Sequence, residues 1–275
     1  VIYIDHIGFV EDDTAQTAGC VDLNIVAADF FLHLADDVLS AADITVNHAG
    51  THAGVCVSAQ NAVRFYDFNF RQYSAYVVCS RAIPAIEDGL KPVQRRILHS
   101  LWEKDDGRYT KVANIVGHAM QYHPHGDASI YETMVRLTRD NEALLVPFVD
   151  SEGNFGKYYS KDMAYAASRY TEVKLENICQ EIFADIDKNT VDFVDNYDGS
   201  MKEPALLPTT FPNILVTPNM GIAVGMASNI CSFNLSEICD GTIALLKNPR
   251  TSIDKLLEII KAPDFSGGGI LLYDR

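Results

Sequence analysis

An arginine stands directly before a tyrosine in AYAASRYTEVKL, residues 164–175. A tyrosine hydroxyl has a pKa near ~10, so it attacks at neutral pH only with a base or a positive charge beside it. Arg169 and Tyr170 fit that pairing, but such pairs are common, and by itself the dipeptide reads first as a surface cation beside a packed aromatic. A second set lies in YHPHGD, where His123 and His125 flank Pro124. The proline favours extended backbone before it, so both imidazoles can lie near one ligand. With Asp127 they have the donor types of a metal site, but no third strong ligand follows at a recognisable spacing. Asp127 is better placed to cap the helix that follows it. A third set is GLKPVQRR, residues 89–96, where Lys91, Arg95 and Arg96 stand with no acidic residue among them. Phosphate contact is the chemistry such a seam performs, and a solvated charge run is the plainer alternative. His48 and His52 flank AGT, a spacing suited to a metal on a helix, but Gly50 and Gly54 favour a loop.

The elements that must position these groups follow from apolar spacing. Pro92 suits the first position of a helix over VQRRILHSLWEK. Val93, Ile97, Leu98, Leu101 and Trp102 form its apolar stripe, which leaves Gln94, Arg95 and His99 largely outside and Arg96 near its edge. TKVANIVGHAM, residues 110–120, predicts a second short helix, and ASIYETMVRLTRD a third with Ile130, Met134 and Leu137 inward. LLVPFVDSEGNFG then reads as a strand and a glycine-punctuated turn. Three helices followed by a β-wing is the order of a winged helix-turn-helix, a DNA-docking module in an α+β fold. Upstream, FRQYSAYVVCSRAIP reads as a helix or extended arm ending before Pro84.

Charge and composition limit the function classes. The chain has 275 residues, is 48% hydrophobic and carries a formal charge of −15. That charge argues against nucleic acid until its distribution is considered. Residues 1–63 hold nine acidic side chains and no Lys or Arg, whereas the remainder holds 22 basic and 28 acidic groups. Affinity for phosphates follows the local field, so a basic seam on an acidic body still binds DNA. The acidic segment has a strand-like start at 1–10 and helical spacing over 27–43, but no chemistry, and residues 1–66 remain of unassigned fold. It is expected to be a separate small module, a fused segment or a foreign piece. Six cysteines without a C-x-x-C pair read as reduced thiols in a cytosolic protein. No apolar run has the length of a membrane span, and no basic n-region of a signal peptide is seen.

Seven segments now stand in one order: SRAIPAIEDGLKPVQRRIL, YHPHGD, EGNFG, AASRYTEVKL, DFVDNYDGS, EPALLPTTFPNILV and GIAVGMASNI. Together they resemble the breakage-reunion region of the A subunit of bacterial type IIA topoisomerases, DNA gyrase and topoisomerase IV. The resemblance covers residues 67–275. It implies a winged-helix breakage-reunion domain over 67–203 and the start of a mixed α/β tower over 204–275. It implies that Tyr170 attacks a phosphodiester to give a 5′-phosphotyrosyl bond, that Arg169 stabilises charge on the scissile phosphate, and that His125 aids the transition state. Arg81, Lys91, Arg95, Arg96 and His123 match positions that hold the DNA backbone and scissile region. Ile222 matches an isoleucine wedged between base pairs to bend the duplex, although GIAV reads equally as buried strand. Gly221 and Gly225 would let the backbone approach DNA closely. Gln94 matches a position that is His in many gyrases and Gln in many topoisomerase IV proteins, a slight tilt to the latter. Ala128 and Glu132 match the Ser and acidic residue that anchor a drug-bound magnesium, so reduced quinolone sensitivity is expected.

The resemblance also implies what this chain lacks. No ATP loop is present, and DID, residues 185–187, in the helical run ENICQEIFADIDK reads as a solvated face rather than a metal site. Magnesium ligands and ATP binding are then expected on a partner B subunit, with no metal held by this chain. The partners implied are double-stranded DNA, the B subunit, and another copy of the A subunit in an A2B2 assembly, without a membrane, in the nucleoid region of the cytoplasm. The family continues into further tower, coiled-coil gate and DNA-wrapping segments, so the chain reads as a fragment or truncated product that binds DNA weakly and does not relax supercoils alone. The rival reading is a winged-helix DNA-binding paralogue or regulator that does not cleave.

Overall fold

The computed structural model of this chain describes residues 6–9, 18–22, 45–48, 53–270 and 272, with side chains from residue 67. The helical spacing over 27–43 and His52 lie outside the described residues. Two compact units are present, Val1–Ala75 and Tyr76–Arg275.

In the first unit, β1 (His6–Phe9), β2 (Ala18–Asp22), β3 (Thr45–His48) and β4 (Ala53–Ser58) form an antiparallel sheet in the order β1-β2-β4-β3. The strand expected over 1–10 is therefore found at its C-terminal half, and His48 closes β3 rather than lying in a loop. Helix α1, Ala59–Val77, follows β4 directly.

α1 gives way to one π-helical turn, Val78–Ala82, and Ile83 is extended before Pro84, as the clash of a proline ring with the preceding residue requires. Helix α2 (Pro92–Lys104) starts at its proline, as expected. Strand β5 (Thr110–Lys111) precedes α3 (Val112–Ala119), so the second helix begins two residues later than its spacing predicts. Helix α4 spans Asp127–Leu137. Gly126, not Asp127, is its N-cap, and Asp127 makes no capping bond. The carboxylate instead occupies the first turn, where it complements the helix dipole.

Helices α2, α3 and α4 pack on one another and on a three-stranded antiparallel sheet, β5 with β6 (Val149–Glu152) and β7 (Glu172–Leu175), in the order β5-β7-β6. Ile97, Leu98, Ile115, Ile130, Met134 and Val173 meet in this core, fully or almost fully buried. Trp102 stacks on Phe183 at 4.6 Å between ring centroids. The single stripe expected on α2 is an underestimate, since Arg95, His99 and Ser100 are buried too. The helix is enclosed by α3, α4, β7 and a second strand pair, β8 (Phe193–Asp195) with β9 (Lys202–Pro204). Polar residues on its flanks are therefore drawn inside.

The run ENICQEIFADIDK is not one helix. Helix α5 covers Cys179–Ile182, and Ile186–Lys188 forms a separate 3-10 turn. Asp185 and Asn189 take left-handed conformations at φ 62° and 59°, which stop helical propagation on both sides of that turn. Further on come α6 (Asn213–Val216), a hairpin of β10 (Asn219–Ile222) and β11 (Ala227–Ile230), α7 (Leu235–Lys247) and α8 (Ile253–Ile259). Cys79, Cys179, Cys231 and Cys239 are free thiols. Among the described residues no helix is long and apolar enough to cross a membrane.

Candidate nucleic-acid interface

Tyr170 sits in the turn that leads into β7 and is 64% exposed. The Arg169 guanidinium carbon lies 4.6 Å from the centroid of its ring. The turn is fixed at both ends. Ala113 N–H donates to the Ser168 carbonyl at 3.2 Å and Val112 N–H to that of Thr171 at 3.1 Å, so the start of α3 holds the backbone around the pair. Ahead of it, the EGNFG turn grips the approaching strand. Asn154 Nδ2 donates to the Ala164 carbonyl at 3.1 Å, and the Asn154 carbonyl accepts Ala166 N–H at 2.8 Å. Gly156, at φ 65°, leaves no room for a side chain, because a Cβ would lie 2.4 Å from the Met163 carbonyl oxygen. Tyr131 Oη donates to the Ala166 carbonyl from α4. An exposed phenol is thus carried on a backbone held by α3, α4 and the glycine turn.

Arg81, Arg96, His123 and His125 form a second group. Arg81 is exposed on the π-helical turn. Arg96 projects from α2 and is held by Glu203 of β9, Nε to Oε2 at 2.6 Å and Nη2 to Oε1 at 2.7 Å. Its Nη1 lies 3.0 Å from His123 Nδ1. The two histidine rings meet edge to face at 4.4 Å, and His125 Nε2 lies 3.1 Å from Tyr76 Oη. Burial, then His125, Arg96 and Arg81, lower the His123 pKa to about 4. Burial also lowers that of His125, with Arg81 and Arg96 adding to it. Both imidazoles are therefore neutral near pH 7, in a field set by two guanidinium groups. Those cations disfavour the metal reading of YHPHGD, and among the described residues no group of three or more His, Cys, Asp or Glu side chains could hold a metal ion.

Lys91 and Ile222 belong to a third group. Lys91 Nζ donates to the Met220 carbonyl at 2.8 Å, and burial with the nearby Arg136 lowers its pKa. Gln94 Oε1 accepts the Lys91 N–H at 2.9 Å, which closes the first turn of α2. Ile222 ends β10 with 79% of its surface exposed, beside exposed Val224 and Met226 at the hairpin tip. The buried-strand alternative for Ile222 is thereby set aside. At Gly221 a protein contact already excludes a side chain, since a Cβ there would lie 2.1 Å from the Ala82 carbonyl oxygen. Gly225, at φ 76° in open space, is the conformationally required glycine of the tip.

Arg95 is elsewhere. Only 8% exposed, it pairs with the fully buried Asp88, Nε to Oδ2 at 2.6 Å and Nη2 to Oδ1 at 3.0 Å. Asp88 also accepts the N–H groups of Leu90 and Leu207, each at 3.0 Å. The Arg95 charge is consumed inside the protein. Ala128 and Glu132 are exposed on α4, with Glu132 3.6 Å from Arg136. Among the described residues, no hydrogen bond or ring contact joins Arg169 and Tyr170 to the histidine group. Sequence reasoning missed Tyr76, Asp88, Arg136 and Glu203. The two acids lie inside the segments SRAIPAIEDGLKPVQRRIL and EPALLPTTFPNILV, but nothing in either segment marks a carboxylate as the partner of an α2 arginine.

The family model for the A subunit of DNA gyrase and topoisomerase IV matches residues 81–275. The chain is 50% identical over 208 residues to the DNA gyrase A subunit of Staphylococcus epidermidis (strain ATCC 12228 / FDA PCI 1200). It is 49% identical over 208 residues to that of Staphylococcus aureus (strain NCTC 8325 / PS 47). Each alignment covers 74% of this chain and 23% of the relative, so the chain spans about a quarter of the length of the curated relatives it matches.

Proposed function

We propose that this chain, which belongs to the A-subunit family of DNA gyrase and topoisomerase IV, carries the cleavage and religation centre of a type IIA DNA topoisomerase. The observation that carries the reading is Tyr170, exposed on an anchored turn with the Arg169 guanidinium over its ring. In this reading the Tyr170 oxygen attacks a backbone phosphorus. A tyrosyl–phosphate bond forms on the 5′ side, the phosphorus–O3′ bond breaks, and the phenolic proton leaves as the departing O3′ becomes a hydroxyl. One phosphodiester replaces another, so the reverse reaction reseals the strand without an external energy source. Arg169 stabilises charge on the phosphate, and neutral His125 donates to a phosphate oxygen. Arg81, Lys91, Arg96 and His123 hold the backbone on either side.

The α2–α3–α4 group with its three-stranded sheet is read as a winged helix, and the β10–β11 hairpin as the carrier of an apolar wedge, Ile222, that bends the duplex. Each of two copies of the A subunit cuts one strand in an A2B2 assembly acting in the cytoplasmic nucleoid region. Magnesium and ATP belong, in this reading, to the partner B subunit, and bound magnesium would supply charge stabilisation for the reacting oxygens. The test places the chain within a full-length related A subunit and adds a matching B subunit, magnesium and supercoiled plasmid. Detergent-trapped protein on 5′ DNA ends, lost in Tyr170→Phe, is the expected result. Retained DNA binding without adducts in the wild type would favour the non-cleaving winged-helix protein instead.

A further inference from the structure

We infer that Glu203 is a positioning residue: its carboxylate fixes the Arg96 guanidinium so that Arg96 holds His123 in the tautomer whose proton is on Nε2. Its bearing on catalysis rests on the cleavage reading above; the geometry does not. Glu203 lies 107 residues from Arg96 in the chain and is 7% exposed. Its two oxygens take Nε and Nη2 of Arg96, at 2.6 and 2.7 Å. A planar fork held at two points cannot rotate, so Nη1 is delivered to one place, 3.0 Å from His123 Nδ1. A guanidinium has donors only. His123 Nδ1 must therefore accept, and a neutral ring then carries its proton on Nε2. Protonating Nδ1 would set one N–H against another in a site where His123 is only 5% exposed. The ring is thus preset as a neutral donor beside His125, with its orientation controlled from β9.

A purely structural role, tying β9 to α2, would leave the tautomer untouched, and that difference is measurable. The 275-residue chain is labelled with 15N-histidine, and two-bond 15N–1H correlations are recorded at pH 7. His123 is assigned by the signal lost in His123→Gln. In the wild type Nδ1 should read as unprotonated and Nε2 as protonated. Glu203→Gln offers one oxygen and turns an N–H towards the guanidinium, so the His123 signals should shift to a mixture of tautomers. Arg96→Lys keeps the charge but not the fork, and should lose the lock as well. Glu203→Asp should retain part of it. Amide spectra report folding, and if Glu203→Gln does not fold, the more exposed Arg96→Lys decides alone. An Nδ1-protonated wild-type ring, or an unchanged tautomer in the folded variants, overturns the inference.

In the reconstituted complex, Glu203→Gln should slow cleavage by about tenfold or more, the scale of a misplaced catalytic contact, and by more than any loss of DNA affinity. An equal loss of affinity and rate would make Glu203 a binding residue and overturn the positioning role. Cleavage surviving in Tyr170→Phe would defeat the proposed reaction while leaving the tautomer lock standing.

Discussion

Replacing Asp88 by asparagine keeps its shape and removes its charge. The wild-type carboxylate is fully buried and receives four hydrogen bonds, two from Arg95 at 2.6 and 3.0 Å and one each from the backbone of Leu90 and Leu207 at 3.0 Å. Asparagine has one oxygen, and its amide would face donors on the other side. Arg95, 8% exposed, would be left as a buried cation with no counter-charge, its acceptors reduced to the one amide oxygen and the Leu90 carbonyl. Breaking a buried pair in this way costs about 3–5 kcal/mol. For a unit of this size that corresponds to a fall in Tm of roughly 10 °C. The assay is urea unfolding of wild type, Asp88→Asn, Arg95→Met and the double variant. The double variant should be more stable than the sum of the single losses implies, by at least ~1 kcal/mol, because it removes the orphaned cation. A loss below about 1 kcal/mol in Asp88→Asn, or strict additivity, would refute the buried-pair account. DNA binding supplies a second check. Arg81→Gln should reduce the slope of log affinity against log salt by about 0.9, one phosphate contact, whereas folded Arg95→Met should leave the slope unchanged.

Three further outcomes are expected. Ile222→Ala should leave stability within about 0.5 kcal/mol, as befits a side chain 79% exposed, while reducing duplex bending measured by energy transfer between end-labelled DNA. Acidification should destabilise the fold between about pH 6.5 and 4, because the unfolded chain protonates His123 over that range while the folded chain, with a pKa of about 4, does not. The full contribution, on the order of 3 kcal/mol, is present above pH 6.5; His123→Gln should flatten that part of the urea-midpoint profile. In the reconstituted enzyme, Ala128→Ser should raise ciprofloxacin-stabilised cleavage; a wild type already as sensitive as the serine variant would sink the drug-site reading.

The helices of the second unit were legible because their apolar spacing, prolines and turns agree with their tertiary use. What escaped the sequence was the fate of the charges. Lys91, Arg95 and Arg96 look alike in GLKPVQRR, yet one binds a backbone carbonyl, one is buried on Asp88 and one is bridged to Glu203. Helical periodicity assigns a direction to each side chain but not what lies there, and α2 is enclosed on several sides. His99, expected on the open side, is instead packed against Tyr122 with ring centroids 5.2 Å apart. Asp127 failed as a cap because the choice between the last non-helical residue and the first helical one depends on the ψ of Gly126, at 144°, which composition does not encode. Ile222 was open for the opposite reason: the letters GIAV fit a buried strand as well as an exposed wedge, and only the hairpin's projection shows the side chain facing outward.

The missing side chain of Gly221 has a mechanical consequence. Backbone of β10 and backbone of the π-helical turn come too close for any Cβ between them, and Lys91 ties the same strand to the start of α2. The apolar tip and the guanidinium of Arg81 are therefore mounted on one stiff bracket. Under the proposed function, a duplex laid across it would meet the wedge and the clamp at a fixed span, like the jaws of a caliper. The depth of the bend and the choice of phosphate would then be a single setting, and loosening Gly221 would blur both together.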